Sequence, residues 1–490
     1  MRRFITNIVA KNWHFFLLFI MAIFLRFYKI EEFITFLGDQ GRDALIIKRI
    51  VDFEHFPAIG APSSVGQIFL GPFYYYLMAP FLPLFNYNPV GLAIGVACYS
   101  LFFMLIIFLL IKKELDFLSA LILIFFMTFS FTLIDFSRYS WNPNLVPYFS
   151  FLTLFFFYKS LQTRKKFFSF LFGCFLAFSI QLHYLALALF LPIIIFYIIR
   201  LHQAKTSKYY LNVFISALTG FILISSPLII FDLKHQFINS KNFFNIFTGD
   251  KLVGKTPFIE RLLDTNAAFY QHILQLPINQ LLGVVITLVY LAIWIWLTKI
   301  KRKNIPFLII VNITNFFLYI FTFSLLNSFR YPHYYGVIYL SFFLTVAYLL
   351  TIIQPKKVQK LLVLTVILLF LGVNVPHYYF LVKEGSRQIA RAKRFADSFN
   401  GKIDSSKFQI VALPSTETDG HVRYFLELNG HRPLPYESSQ QPDELFVLCY
   451  ASCSPDNDGQ WQIAAFIDKK IIKEWQVENV TIYKVIHKKK

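Results

Sequence analysis

The chain has 490 residues, 57% of them hydrophobic and 19% aromatic, only 15% charged, with a mean hydropathy of +0.56. A water-soluble protein of this length carries far more charge, so that class is excluded. A net charge of +20 could suit a nucleic-acid partner, but the placement of the basic residues marks membrane topology instead.

Apolar runs of about 20 residues, each long enough to span a bilayer, recur from the start of the chain to about residue 380. About eleven spans are expected, near 13–30, 90–111, 117–135, 144–161, 168–184, 186–200, 209–231, 280–298, 306–326, 334–353 and 361–380. The basic clusters fall in alternate gaps: Arg2/Arg3/Lys11, Lys112/Lys113, Arg164/Lys165/Lys166, Lys205/Lys208, Lys299/Lys301/Arg302/Lys303 and Lys356/Lys357. By the positive-inside rule the N-terminus is cytoplasmic, and segments 31–89, 232–279 and 381–490 lie outside the membrane. This suits a multi-pass protein of a bacterial cytoplasmic membrane, and the endoplasmic reticulum would give the same pattern. The first span has no small-residue cleavage site and runs into Arg26, Phe27 and Tyr28, so it reads as a retained anchor.

The outer segment 31–89 is the most patterned. In Phe36-Leu-Gly-Asp-Gln-Gly-Arg-Asp-Ala44, Asp39 and Asp43 stand four residues apart beside Gln40 and Arg42. On a helix both carboxylates share a face and could enter one cavity, where a carboxylate serves as general base. The plainer alternative makes Asp39 the N-cap of the helix that follows, with Gly38 as the turn. A Pro/Gly/Ser connector then leads to a second helix, Gly71-Pro-Phe-Tyr-Tyr-Tyr-Leu-Met-Ala-Pro80. Tyr74, Tyr75 and Tyr76 there are either site residues or an aromatic belt at headgroup level.

After the third span comes Asp135-Phe-Ser-Arg-Tyr-Ser-Trp-Asn-Pro-Asn144, in which Arg138 is the sole base. An outer arginine is a candidate phosphate clamp with Asn142 as a polar neighbour, or a snorkelling interfacial residue. His183 and Tyr184 close the fifth span near the outer interface, facing a cavity or serving as structural residues. Segment 232–279 has room for an amphipathic helix at 257–273, with Glu260, Arg261 and Asp264 on its polar side. The ninth span exits into Asn327-Ser-Phe-Arg-Tyr-Pro-His-Tyr-Tyr335, where Arg330, His333 and Tyr334 converge as a second anion-binding candidate.

Beyond residue 380 the composition turns mixed and polar. A small extracytoplasmic α/β domain is expected over 381–490, following a transmembrane module over 1–380. It has helices at Arg387–Phe399 and His421–Leu428, the latter closed by Gly430. Its strands fall at Phe408–Leu413, Leu445–Tyr450, Gln462–Ile467 and Thr481–Ile486. Cys98 and Cys174 lie in spans as packing residues, Cys449 and Cys453 are placed for a local disulfide, and no metal-type Cys/His spacing occurs. Asn479-Val-Thr481 matches a glycosylation sequon, a pattern common by chance.

A single span, the Asp39-Gln-Gly-Arg-Asp43 motif and the Gly-Pro-Phe-Tyr-Tyr-Tyr-Leu helix together resemble the GT-C fold membrane glycosyltransferases. The resemblance is to family-39-like enzymes, such as protein O-mannosyltransferases and the aminoarabinose transferase of lipid A. It extends in architecture over about 1–380 and in motifs over the first outer segment and, weakly, Arg138–Asn144. Gly71-Pro72 stands where that family often has His-Pro or Pro-Pro, and Gln40 replaces the second acid of its Asp-Glu pair, so only Asp39 carries over as catalytic. The resemblance implies inverting transfer of a sugar from a polyprenyl-phosphate donor to an acceptor hydroxyl on a lipid, glycan or protein. Asp39 would act as base, with Arg138 or Arg330 stabilising the leaving phosphate. Some relatives of this fold use a divalent cation, for which no ligand set stands out here. Rival readings are a lipid or polysaccharide transporter, which the nearly uncharged midplane disfavours, and an oligosaccharide ligase or polymerase using Arg330 and His333.

Overall fold

In the computed structural model the described residues are 12–63, 67–163, 165–203, 208–248, 256–300, 304–436 and 438–488. Arg2, Arg3, Lys11, Arg164, Lys205, Lys301, Arg302 and Lys303, on which part of the charge alternation rests, lie outside them. The apolar runs fold as helices. Among the described residues seven are long and apolar enough to cross a membrane: Val90–Glu114, Tyr184–His202, Lys208–Lys234, Gln280–Lys299, Phe307–Ser324, Pro332–Ile352 and Lys356–His377. The expected first, third and fifth spans are shorter apolar helices, α1 (Trp13–Phe27), Phe117–Phe129 and Lys166–Leu182, and the fourth is Val146–Thr163. The third falls short because Ser130 ends it and caps a new helix, Phe131–Phe136, by accepting from Leu133 N.

Helix contacts are largely aromatic, as the sequence's phenylalanine content requires. Phe149 meets the rings of Phe73, Phe103, Phe175 and Phe178 at centroid distances of 5.4, 4.9, 5.6 and 5.7 Å, the range in which edge and offset contacts stabilise. Outside the spans, helix α2 (Gly38–Val51) and the short helix Phe73–Met78 build the first outer segment, and Phe258–Leu274 forms the expected amphipathic helix.

The C-terminal region is a four-stranded sheet in the order β1 (Phe408–Leu413), β2 (Glu444–Cys449), β4 (Val480–His487), β3 (Lys469–Val477). The pair β1–β2 is parallel and the others antiparallel. Helices Gln388–Asp397 and α3 (Gly420–Leu428) accompany it. Gly430, at φ +85°, closes α3, and Cys449 and Cys453 are joined. Two expectations fail. Residues 461–464 are a helical turn rather than a strand, and β3 takes the edge instead. Lys469, Lys470 and Lys473 keep that edge solvated, which erases the alternation that marks a half-buried strand.

The sheet region docks firmly on segment 31–89. Phe36 N donates to Gln388 Oε1 at 2.7 Å, Tyr424 OH to Tyr87 O at 2.7 Å, and Arg49 Nη2 meets Glu427 Oε1 at 3.0 Å. Helices α2 and α3 touch through glycines, so closely that a Cβ on Gly41 would lie 2.3 Å from the Gly420 carbonyl carbon.

Candidate functional site

Helix α2 starts at Gly38 with Leu37 as N-cap, so Asp39 is not the cap. Gln40 reaches back instead, its Oε1 accepting from Leu37 N at 3.2 Å. Asp39 stands in the first turn, where the helix dipole favours a carboxylate. Arg42 bridges the two acids: its Nη1 is 2.8 Å from Asp39 Oδ1, and its Nη2 2.7 Å from Asp43 Oδ1. Asp43 is fully buried, accepts from Tyr75 OH at 3.1 Å, and has no partner on Oδ2 among the described residues. Burial raises its carboxyl above the ordinary carboxylate range, against the pull of Arg42. Burial also works against the charged form of Arg42, but Asp43, Tyr75 and Asp39 outweigh it and hold the guanidinium firmly protonated.

The Asp39 side chain is 53% exposed and opens on a cavity of about 700 Å³. The walls come from three places: residues 35–40, then Asp135, Tyr139 and Trp141, then Gln388, Arg391, Thr416, Glu417, Thr418, His421 and Tyr450 of the sheet region. Asp43 is not on the wall. The expectation that both carboxylates share the cavity therefore holds for Asp39 alone, because Arg42 and Tyr75 draw Asp43 inward.

Tyr74 and Tyr75 are 1% exposed, so neither belongs to an aromatic belt; Tyr74 OH pairs with Ser140 Oγ at 2.7 Å. Arg138 is buried and away from the cavity wall. Its Nη1 donates to Leu25 O at 2.9 Å, its Nη2 to Tyr28 O at 2.8 Å, and its plane lies 4.0 Å from the Phe380 ring centre. It thus satisfies the open carbonyls at the end of α1 rather than a phosphate. Asn142 is 2% exposed and neither amide atom has a partner among the described residues.

His333 turns to Trp141, with ring centres 4.5 Å apart, and to His183 at 5.8 Å, while Tyr334 lies 5.4 Å from His183. The rings of His333, His183 and Tyr334 gather behind the cavity wall that Trp141 forms. Arg330 does not join them. It folds back on its own loop, donating to Ser328 O and Leu326 O, and lines a separate hollow of about 540 Å³ with Asp264 and Asn279. Tyr184 OH donates to Phe69 O and accepts from Asn239 Nδ2, tying loop to helix.

Sequence reasoning missed the third wall. Arg391, Thr418, His421 and Tyr450 sit in no motif and are brought to Asp39 only by docking of the sheet region. Among the described residues no three His, Cys, Asp or Glu side chains stand together as a metal site.

Two comparisons with known proteins bear on the fold. The family model for dolichyl-phosphate-mannose-protein mannosyltransferase matches residues 70–230, which include the tyrosine helix but not Asp39 or the sheet region. No curated protein matches the whole-chain sequence search. Among solved structures, ArnT from Cupriavidus metallidurans bound to undecaprenyl phosphate superposes with a TM-score of 0.61 at 11% identity, covering 96% of this chain and 98% of that one. Its apo form gives 0.58 at 12%, over 97% and 98%. The Archaeoglobus fulgidus oligosaccharyltransferase in complex with Zn and sulfate gives 0.50 at 11%, over 86% of this chain but 62% of that one. The chain therefore has the GT-C fold of membrane glycosyltransferases, enzymes that work on lipid-linked sugars. Within that class its architecture is similar to that of ArnT from end to end, sheet region included.

Proposed function

We propose that the protein moves a sugar from a polyprenyl-phosphate donor to an acceptor hydroxyl in the cavity at the start of α2, with Asp39 as general base. The observation that carries this reading is that Asp39 is the accessible acid of the motif, oriented by Arg42 at 2.8 Å on the wall of a 700 Å³ cavity. The acceptor oxygen attacks the anomeric carbon while the bond from that carbon to the phosphate oxygen breaks. The electron pair leaves with the polyprenyl phosphate, and the acceptor proton passes to Asp39 Oδ2, since Oδ1 is engaged by Arg42. A single displacement inverts the anomeric configuration, and a positioned base of this kind contributes about 10²–10⁴-fold. Arg42 and Asp43 act through Asp39 as positioning residues, and Tyr75 locks Asp43.

The charge alternation supports an N-terminus in the cytoplasm and a cavity on the outer face. The donor then enters with its tail between helices. The test is transfer of radiolabelled sugar from a panel of polyprenyl-phosphate donors by wild type and Asp39→Asn, with donor binding measured in parallel. Turnover lost in the variant with binding intact supports the base assignment. Equal turnover in both removes it, and no turnover with any donor returns the transporter and ligase readings.

A further inference from the structure

The sheet region is not a passive cover. His421 is 8% exposed, lines the cavity, and has no partner on Nδ1 among the described residues. Its Nε2 lies 3.3 Å from Tyr450 OH. Either atom of that pair can donate, and the contact holds the imidazole ring in place. A buried ring nitrogen without a protein partner, on a side chain that lines a cavity, is a candidate contact for what enters that cavity.

Both members of the pair are held in place. The start of α3 is fixed by Asp419, whose Oδ2 accepts from Arg423 Nε at 3.0 Å, and Arg423 Nη1 donates to Leu434 O at 2.9 Å. Tyr450 lies inside the loop closed by the Cys449–Cys453 bridge and stacks on Phe395 at 6.3 Å. The glycine seam between α2 and α3 then brings the pair to the cavity that Asp39 lines.

The chemistry of this wall selects a ligand. Arg391, Thr416, Glu417, Thr418, His421 and Tyr450 offer donors and acceptors and no aliphatic side chain. The apolar side chains of the cavity, Phe36 and Leu37, stand at the start of α2, and the sheet-region wall itself gives an acyl chain nothing to bury against. Vicinal hydroxyls match closely spaced carboxylate, hydroxyl and imidazole groups, and the ring of Trp141 on the opposite wall suits the C–H face of a sugar.

We propose that the His421–Tyr450 pair positions the acceptor, and that the acceptor is a polyhydroxylated glycan. This rests on the transferase reading above. His421 is a positioning residue: it binds the acceptor and takes no proton.

The test uses the full-length protein in lipid nanodiscs with a radiolabelled polyprenyl-phosphate hexose and two acceptor probes, a p-nitrophenyl hexoside and a serine/threonine-rich peptide. The hexoside is expected to be the better acceptor. His421→Phe is expected to raise its KM roughly tenfold, the cost of one lost hydrogen bond with a buried partner, while kcat and donor KM stay put. His421→Asn, whose amide nitrogen stands near the Nδ1 position, is expected to restore the acceptor KM, and unfolding midpoints check that both variants fold. An unchanged hexoside KM in His421→Phe, no rescue by His421→Asn, a joint shift of kcat and both KM values, or preference for the peptide each overturns the proposal. Consumption of donor with transfer to neither probe overturns it while sparing the transferase reading. A donor untouched by wild type sinks both.

Discussion

Replacing Gly41 by alanine places a methyl group in the seam between α2 and α3. That carbon would lie 2.3 Å from both the Gly420 carbonyl carbon and the His421 nitrogen, and 2.5 Å from Gly420 O. All three are backbone atoms of a helix and cannot swing aside as a side-chain tip can. Ordinary contact begins at 3.4 Å, so the two helices must separate by about 1 Å. Overpacking of this kind costs about 1–3 kcal/mol, and a displacement near 1 Å between reacting groups lowers rates about 10²-fold. Gly41→Ala should therefore keep donor affinity, unfold at lower temperature and transfer sugar about 10²-fold more slowly. Gly372→Ala serves as the control: nothing lies within 4 Å of the added carbon, and a helical Gly→Ala change stabilises by about 0.5–1 kcal/mol. Transfer rates and unfolding midpoints measured side by side decide the matter. A Gly41→Ala protein with both values of the wild type refutes the claim that this seam sets the cavity.

Arg138→Met should lower stability by about 2–3 kcal/mol, because the carbonyls at the end of α1 lose a charged donor; donor affinity, read by equilibrium binding to the folded fraction, should not change. A selective loss of donor affinity would restore Arg138 as a phosphate clamp. His421 predicts a pH dependence. Burial lowers its pKa from 6.5 to about 4, against Asp419 and aided by Arg391, so the unfolded chain binds more protons between these values. Stability from this residue is complete above pH 6.5 and declines as pH falls toward 4, by on the order of 3 kcal/mol at most. In His421→Asn the unfolding midpoint should vary less over that interval, and an equal slope in both proteins would contradict the assignment.

What was legible in the chain was local. The apolar runs mark their own helices because hydrophobic length is a property of one segment, and α2 announces itself by the spacing of Asp39, Arg42 and Asp43. The strands β1, β2 and β4 and the Cys449–Cys453 bridge are read the same way. The roles of Arg138 and Arg330 were not, because both arginines answer to backbone carbonyls, at the end of α1 and in a loop, that only the folded chain presents. His333 was placed beside Arg330 by sequence, yet the fold turns one ring toward His183 and the guanidinium the other way. His421 and Tyr450 carry no signal in sequence at all, since their meaning is that they line the same cavity as Asp39.

Phe36 and Gln388, which join the two sides of the cavity, are 352 residues apart in the chain. At ~5–20 residues per second of synthesis, that separation is roughly 20–70 s. Throughout this interval Asp39 has emerged from the ribosome while the wall opposite it does not yet exist. A nascent chain, or one released early, holds an acid without an acceptor site. The order of synthesis itself thus delays competence for transfer until the sheet region is made and docked.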